Sequence, residues 1–396
     1  MSVLRLAIPS PLRRNFDYLP PAGMSQAEID TLQPGVRLRV PFGAREVTGY
    51  LLGVFTESAI SEDALKPALE LLDDAPLLDA QMLQLCHWAA DYYHHPLGDV
   101  YTTLFPKRLR EGKPVQLPGL PGWQLTTRGK GLPEAALPRS PRQAQALSLL
   151  RQRGFIASSE LKSCGISAAI LRNLQEKRLI EPCAVNAPSL PATARQGLTL
   201  NDEQTAVLQA LVAAEAGYSC HLLEGVTGSG KTEIYLQLIA ACLQRGRQAL
   251  VLVPEIGLTP QTLSRFQQRF DANIAVLHSG LTDAQRYLAW EAARSGAAQI
   301  VIGTRSAVFT PMAAPGLIIV DEEHDSSYKQ QDGFRYSARD VAVKRAQLHT
   351  CPILLGSATP SLESIHNVIS GRYQHHQLTR RASSGGMPDI KAVDVR

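Results

Sequence analysis

The sequence is short of the features that would place it outside the cell or in a membrane. Its six cysteines, Cys86, Cys164, Cys183, Cys220, Cys242 and Cys351, are scattered, with no C-x-x-C pair and no metal-ligand spacing. That excludes a disulfide scaffold and a zinc ribbon and reads as reduced thiols. No apolar run approaches the roughly eighteen residues that a membrane span requires. The first residues lack the basic, apolar and small-residue regions of a signal peptide. A cytoplasmic protein with no membrane partner is expected, and a monomer. No internal repeat or low-complexity tract is present, which excludes a solenoid. Charged residues are only 19% of the chain and the net charge is +4, so nucleic-acid binding is permitted without being argued for. A solvated surface with a small Lys/Arg excess explains the charge equally well.

What is present is enough apolar material for several cores: 44% hydrophobic residues in 396, with 26 prolines to punctuate them. A multidomain α/β chain is predicted. A small β-rich domain spans 1–108. Residues 3–8 are apolar, 35–41 alternate as a half-buried strand should, and 47–55 form another strand candidate. A helix over 79–93 places Met82, Leu83, Leu85, Cys86 and Ala89 on one side. Residues 109–122, rich in Pro and Gly, read as a linker. From 123 to 183, helices are predicted over 141–153, 158–163 and 167–177, leading into a strand at 179–181. This is a winged-helix pattern, though a small helical spacer fits as well. Residues 184–197 form a second linker. From 198 to 381 apolar strands at 221–224, 249–253, 274–277, 299–303, 317–320 and 353–355 alternate with helices, the signature of a RecA-like parallel sheet. Residues 382–396 read as a loop.

The sharpest motif lies in this last segment. Gly225, Val226, Thr227, Gly228, Ser229, Gly230, Lys231 and Thr232 fit G-x-x-x-x-G-K-[ST], between a strand and a helix. The glycines let backbone N–H groups turn inward around phosphates at a helix N-terminus. Lys231 reaches the β and γ phosphates and the Thr232 hydroxyl ligates Mg²⁺. Four apolar residues at 317–320 then lead into Asp321, Glu322, Glu323 and His324. Asp321, at the end of a buried strand, holds the Mg²⁺ shell, and Glu322 accepts a proton from the attacking water. A solvated acidic loop is the bland alternative, and Asp325 reads as ordinary surface. ATP and Mg²⁺ are the expected cofactors.

With Gly356, Ser357, Ala358 and Thr359, these residues resemble motifs II and III of superfamily 2 helicases. Residues 225–233, 253–261, 302–307 and 321–331, with Phe16-Asp17-Tyr18 and the run 91–98, together resemble the primosomal protein N′ family of replication-restart helicases, over the whole chain. The resemblance implies an N-terminal pocket for a nascent 3′ end made by Phe16, Asp17, Gly43 and Lys66. Asp17 could accept from a base or a 3′-hydroxyl, and Lys66 could neutralise phosphate. It also implies that Gln204 reads adenine, that Glu233 belongs to the nucleotide site, and that residues 254–261 and Gly303-Thr304-Arg305 hold a single strand, with Arg305 on phosphate. Tyr328, Lys329, Phe334, Arg335 and Tyr336 resemble an aromatic-rich loop suited to stacking on bases; Phe334 stands where the family usually carries Trp. His324, Ser357 and Thr359 resemble residues that couple nucleotide to DNA. Arg172, Lys177 and Arg178 could touch duplex phosphates or form a solvated face. The run Tyr92-Tyr93-His94-His95 reads as structural.

The family continues into a cysteine-rich zinc-binding insertion and a second RecA-like lobe, whereas this sequence stops at Arg396. A fragment is therefore expected, with zinc only in the missing region and no arginine finger. The implied function is an ATP-dependent 3′→5′ DNA helicase that recognises stalled forks and starts primosome assembly. Expected partners are forked DNA with a nascent 3′ end, single-stranded DNA, single-strand-binding protein and other primosome proteins. Two alternatives stay open: a DNA-binding module without ATP turnover, and another superfamily 2 translocase.

Overall fold

The computed structural model describes residues 2–115, 120–132, 140–157, 161, 164–185, 193–213 and 217–382. The chain divides into two compact units, Met1–Pro114 with Leu190–Arg396, and Val115–Ser189.

The first unit opens with a five-stranded antiparallel sheet in the order Phe16–Tyr18, Val3–Ala7, Arg45–Phe55, Arg37–Phe42, Glu70–Leu71. The sheet curls on itself. Leu19, just past one edge strand, bonds to Lys66 O (3.0 Å) and bridges Pro67, just ahead of the other edge strand. Leu4, Leu6, Leu38, Val40 and Leu51 fill the interior. The alternation at 35–41 predicts a strand, and Arg37–Phe42 forms one, with Arg37 fully buried. Its guanidinium makes a forked pair with Asp73 (2.9 and 2.7 Å) and donates to the carbonyls of Leu109 and Lys113. A buried cation is tolerated only with such partners. Asp73→Ala is expected to destabilise the chain by about 3–5 kcal/mol, because it strands that charge. A urea unfolding midpoint measures it, and an unchanged midpoint contradicts the assignment.

Helices Ala80–Tyr92, Leu97–Leu104 and Lys107–Arg110 follow. Asp79 caps the first by accepting from Met82 N (2.7 Å), and Met82, Leu85, Cys86, Ala89 and Ala90 are its buried face. Gly98 is required by contact: a Cβ there would lie 1.9 Å from Ile8 O. The same helices join the nucleotide lobe. Trp290 Nε1 donates to Leu104 O (2.8 Å) in a buried contact, and Ala80–Tyr92 packs on the helix Ala338–Leu348.

The lobe is a seven-stranded parallel sheet in the order Ile274–Leu277, Ile300–Gly303, Gln248–Leu252, Pro315–Val320, Ile353–Ser357, Cys220–Gly225, Gln374–Leu378. Leu223, Val251, Ile302, Ile319 and Leu354 face the helix Lys231–Gln244, and Ala338–Leu348 packs against the central strands. With both faces covered, these strands are continuous apolar runs. The polar edge strand Gln374–Leu378 is an element the sequence does not announce. It docks through Glu224, whose Oε2 lies 2.9 Å from His375 Nε2 and accepts from Gln377 (3.0 Å).

The second unit is a three-stranded antiparallel sheet in the order Phe155–Ala157, Leu120–Leu125, Ile180–Val185, with helices Thr127–Lys130, Pro141–Arg153 and Ala168–Glu176. Ala146, Leu147, Leu150, Ile156, Leu174 and Ile180 are its core. Leu120–Leu125 lies partly in the stretch the sequence assigns to a linker. Pro121 is tolerated because it pairs only with Ala184, outside the register that joins Gly122, Trp123 and Gln124 to Phe155–Ala157. Most of the expected helix at 158–163, and the tail 383–396, lie outside the described residues.

Candidate nucleotide site and nucleic-acid interface

Gly225 ends the strand Cys220–Gly225, and Gly230 caps the helix Lys231–Gln244. Between them the loop folds tightly. Gly228 and Gly230 take φ of +81° and +90°, which side chains disfavour. A Cβ on Gly225 would lie 2.5 Å from Ser229 Oγ, and one on Gly230 2.3 Å from Gln204 Nε2. The buried Ser229 Oγ has no hydrogen-bond partner among the described residues. Lys231 Nζ bends back to donate to Gly225 O (2.8 Å) and stands 4.0 Å from Glu322 Oε1. A cavity of about 780 Å³ opens here, lined in part by Thr227, Thr232, Arg265, Arg269 and Asp321.

Across it, Asp321 and Glu322 follow the strand Pro315–Val320. Tyr235, one turn into the helix Lys231–Gln244, donates to Asp321 Oδ1 (2.9 Å), and Tyr328 donates to Asp321 O (2.6 Å). Burial pushes the Asp321 carboxyl above the usual carboxylate range, and the Tyr235 bond opposes that shift. Burial beside Asp321 drives the Tyr235 phenol far up, so it stays a donor. Glu322 sits at φ +45°, a strained position for a non-glycine residue, with Oε2 3.7 Å from His324 Nδ1. These features suit a Mg²⁺-nucleotide: a tight glycine loop at a helix N-terminus, an unpartnered hydroxyl, a lysine, and carboxylates after the facing strand.

The structure brings His324, Ser357 and Thr359 together: His324 Nδ1 and Ser357 Oγ are 2.7 Å apart, and Thr359 N donates to Ser357 Oγ (3.0 Å). Gln204 sits against the phosphate loop. Its Nε2 donates to Ser229 O (2.8 Å) and its Oε1 accepts from Asn201 N (3.0 Å), so both ends of the amide brace the loop. Glu233 likewise serves its neighbours, accepting from Leu198 N and Gln237, with Arg269 3.7 Å away.

Phe16 and Asp17 lie on the edge strand Phe16–Tyr18, Gly43 follows the strand Arg37–Phe42, and Lys66 precedes Glu70–Leu71. Phe16 meets Phe42 edge to face (5.2 Å), next to the exposed turn at Gly43, and exposed Lys66 bonds through its carbonyl to Leu19. Asp17 is less free than its expected role suggests. Arg5 forks onto it (2.9 and 3.0 Å) and Ser58 donates to it (2.8 Å). The Arg5 hydrogen bond holds its carboxyl below the ordinary range.

In the aromatic-rich loop, Tyr328, Phe334 and Tyr336 are buried. Phe334 packs on Tyr93, His95, Phe309 and Tyr336. Lys329 and Arg335 remain exposed. Arg305 holds this loop by donating to Ser327 O (3.0 Å) and Lys329 O (3.1 Å). Two functional contacts escape sequence reasoning: Tyr235 on Asp321, and buried Glu323, which accepts from Ser361, Ser364 and Arg339. Helical spacing from Lys231 was the only available signal for Tyr235.

The lobe is a DEAD/DEAH box helicase domain: residues 201–368 match that family model, and such a domain implies use of ATP and Mg²⁺. Residues 5–106 match the 3′ DNA-binding domain, and 120–182 the primosomal protein N′-like winged helix. The chain is 46% identical to the replication restart protein PriA of Haemophilus influenzae, over 100% of this chain and 54% of that protein. It is 32% identical to the Bacillus subtilis protein of the same name, over 97% and 56%. This chain belongs to the PriA family of replication restart proteins, and it spans about half the length of those relatives. It is also similar to a solved RecG bound to a three-way DNA junction, at TM-score 0.37 and 22% identity, over 48% of this chain and 25% of that one. Among the described residues no helix is long and apolar enough to cross a membrane.

Proposed function

We propose that this chain supplies fork recognition and nucleotide binding to an ATP-dependent 3′→5′ DNA helicase of replication restart, which starts primosome assembly and replisome reloading. The observation that carries the reading is the packing of a 3′ DNA-binding domain and a phosphate-loop lobe into one compact unit. Domain limits at 1–108, 123–183 and 198–381 are part of the proposal. So are a cytoplasmic setting and contacts with single-strand-binding protein and other primosome proteins. Zinc is assigned, by the family resemblance, outside this chain.

The chemistry a bound Mg²⁺-ATP supplies is cleavage of its terminal phosphoanhydride. On this reading the amides of Gly228 and of residues 230–232 bind phosphate oxygens, and Lys231 leaves Gly225 O to join them. Thr232 and Asp321 hold the cation, with Asp321 aimed by Tyr235. Glu322 accepts the proton of the attacking water. His324 and Ser357 link that carboxylate to residues 356–359.

Phe16, Asp17, Gly43 and Lys66 form the 3′-end pocket, with Arg5 and Ser58 positioning Asp17. Asp17→Ala is expected to lower the preference for forks carrying a 3′ end at the junction by about tenfold, the value of one charged hydrogen bond. Nucleotide binding should stay unchanged. Fluorescence anisotropy with free and blocked 3′ ends measures it, and equal loss on both substrates counts against the pocket.

A further inference from the structure

The burial of Tyr328, Phe334 and Tyr336 leaves a different aromatic surface open. The helix Ala80–Tyr92 ends on Tyr92, which is 60% exposed. Its ring stacks on Trp88, one turn earlier (4.9 Å, 20°). Tyr93 meets both rings edge-on, at 4.9 and 6.0 Å. Tyr93 is itself fixed, because its hydroxyl accepts from Ser337 N (3.3 Å) and its ring packs against Phe334. Two lysines of the nucleotide lobe flank the cluster. Lys329 Nζ lies 5.6 Å from the centre of the Tyr93 ring, and Lys344 Nζ 5.9 Å from that of Trp88.

An exposed phenol on a rigid indole, between two cations, has the chemistry of a base-stacking platform. Every base presents a π-face, stacking tolerates any sequence, and the lysines stand where flanking phosphates would pass. Asp340, the nearby acid of the supporting helix, is already paired with Arg339 (3.0 Å). Asp91 is the exposed acid beside Tyr92 on its own helix. A purely apolar partner would make no use of the two ammonium groups. We propose that Tyr92, backed by Trp88, stacks one unpaired base of single-stranded DNA, with Lys329 and Lys344 on the adjoining phosphates. The inference rests on the DNA-binding reading above but uses a surface separate from the Phe16–Gly43 corner.

The test uses the whole 396-residue chain. Oligo(dT) with a blocked 3′ end and carrying 5-iodouracil is photocrosslinked and the adducts mapped, and its affinity is measured by anisotropy for wild type, Tyr92→Ala and Tyr92→Trp. The expected result is a wild-type adduct at Tyr92 or Trp88 and roughly tenfold weaker binding by Tyr92→Ala. Tyr92→Trp retains affinity. Matched thermal midpoints establish that the variants are folded. If wild type binds but Tyr92→Ala binds equally well, the platform is overturned and the exposed ring falls to a protein partner. If wild type binds no single strand, the broader DNA-binding reading is overturned with it.

Discussion

Lys231→Ala is expected to weaken binding of Mg²⁺-ATP to this chain by roughly 10- to 100-fold. The side chain contributes little to the fold: its ammonium has one hydrogen bond, to Gly225 O, and faces Glu322 at 4.0 Å. With phosphate present, the same ammonium makes charged hydrogen bonds worth about 1.5–3 kcal/mol, and each 1.4 kcal/mol is a factor of ten in affinity. Titration with a fluorescent ATP analogue reads the loss. Affinity for forked DNA, carried by other surfaces, should not move. An unchanged nucleotide affinity would remove Lys231 from the site.

The second large effect is expected at Gly356. A Cβ there would lie 1.7 Å from Tyr235 Oη and 2.8 Å from the ring carbon bearing it. Overpacking of this kind costs typically about 1–3 kcal/mol and sometimes more. It also pushes Tyr235 off Asp321, so Mg²⁺-dependent nucleotide binding should fall together with stability. Tyr235→Phe alone loses the hydrogen bond, at about 1–3 kcal/mol for the acceptor left behind. Because Tyr235→Phe removes the clashing oxygen, the double variant should be more stable than the sum of the single losses predicts. Thermal or urea unfolding of the four proteins measures this coupling. Strict additivity would mean that Gly356 and Tyr235 do not share the contact.

The same contact shows where the sequence is legible and where it is not. The parallel strands were readable because burial on both faces turns each into a continuous apolar run. The phosphate loop was readable because its glycines, lysine and threonine are adjacent in the chain. The edge strand Gln374–Leu378, which reads Gln-His-His-Gln-Leu, carries no apolar pattern. Its place depends on Glu224, some 150 residues earlier. Arg37 sits in a strand that alternates correctly, yet it is buried because Asp73 and the carbonyls of Leu109 and Lys113 converge on it. The loop 326–336 has the composition of a stacking surface, but Tyr93 and Phe309 come from distant segments to pack Phe334 inward. Tyr92, which reads as structural beside them, is the ring left in solvent. Local pattern records which residues can be buried. Which of them are buried is decided by segments that meet only in the fold.

On the proposed function, this chain recognises the 3′ end at a fork. Its most direct test compares the affinity of the unmodified protein for two forks that differ only in a free or a blocked leading-strand 3′-hydroxyl. Tighter binding to the free end is expected. Equal affinities would contradict it.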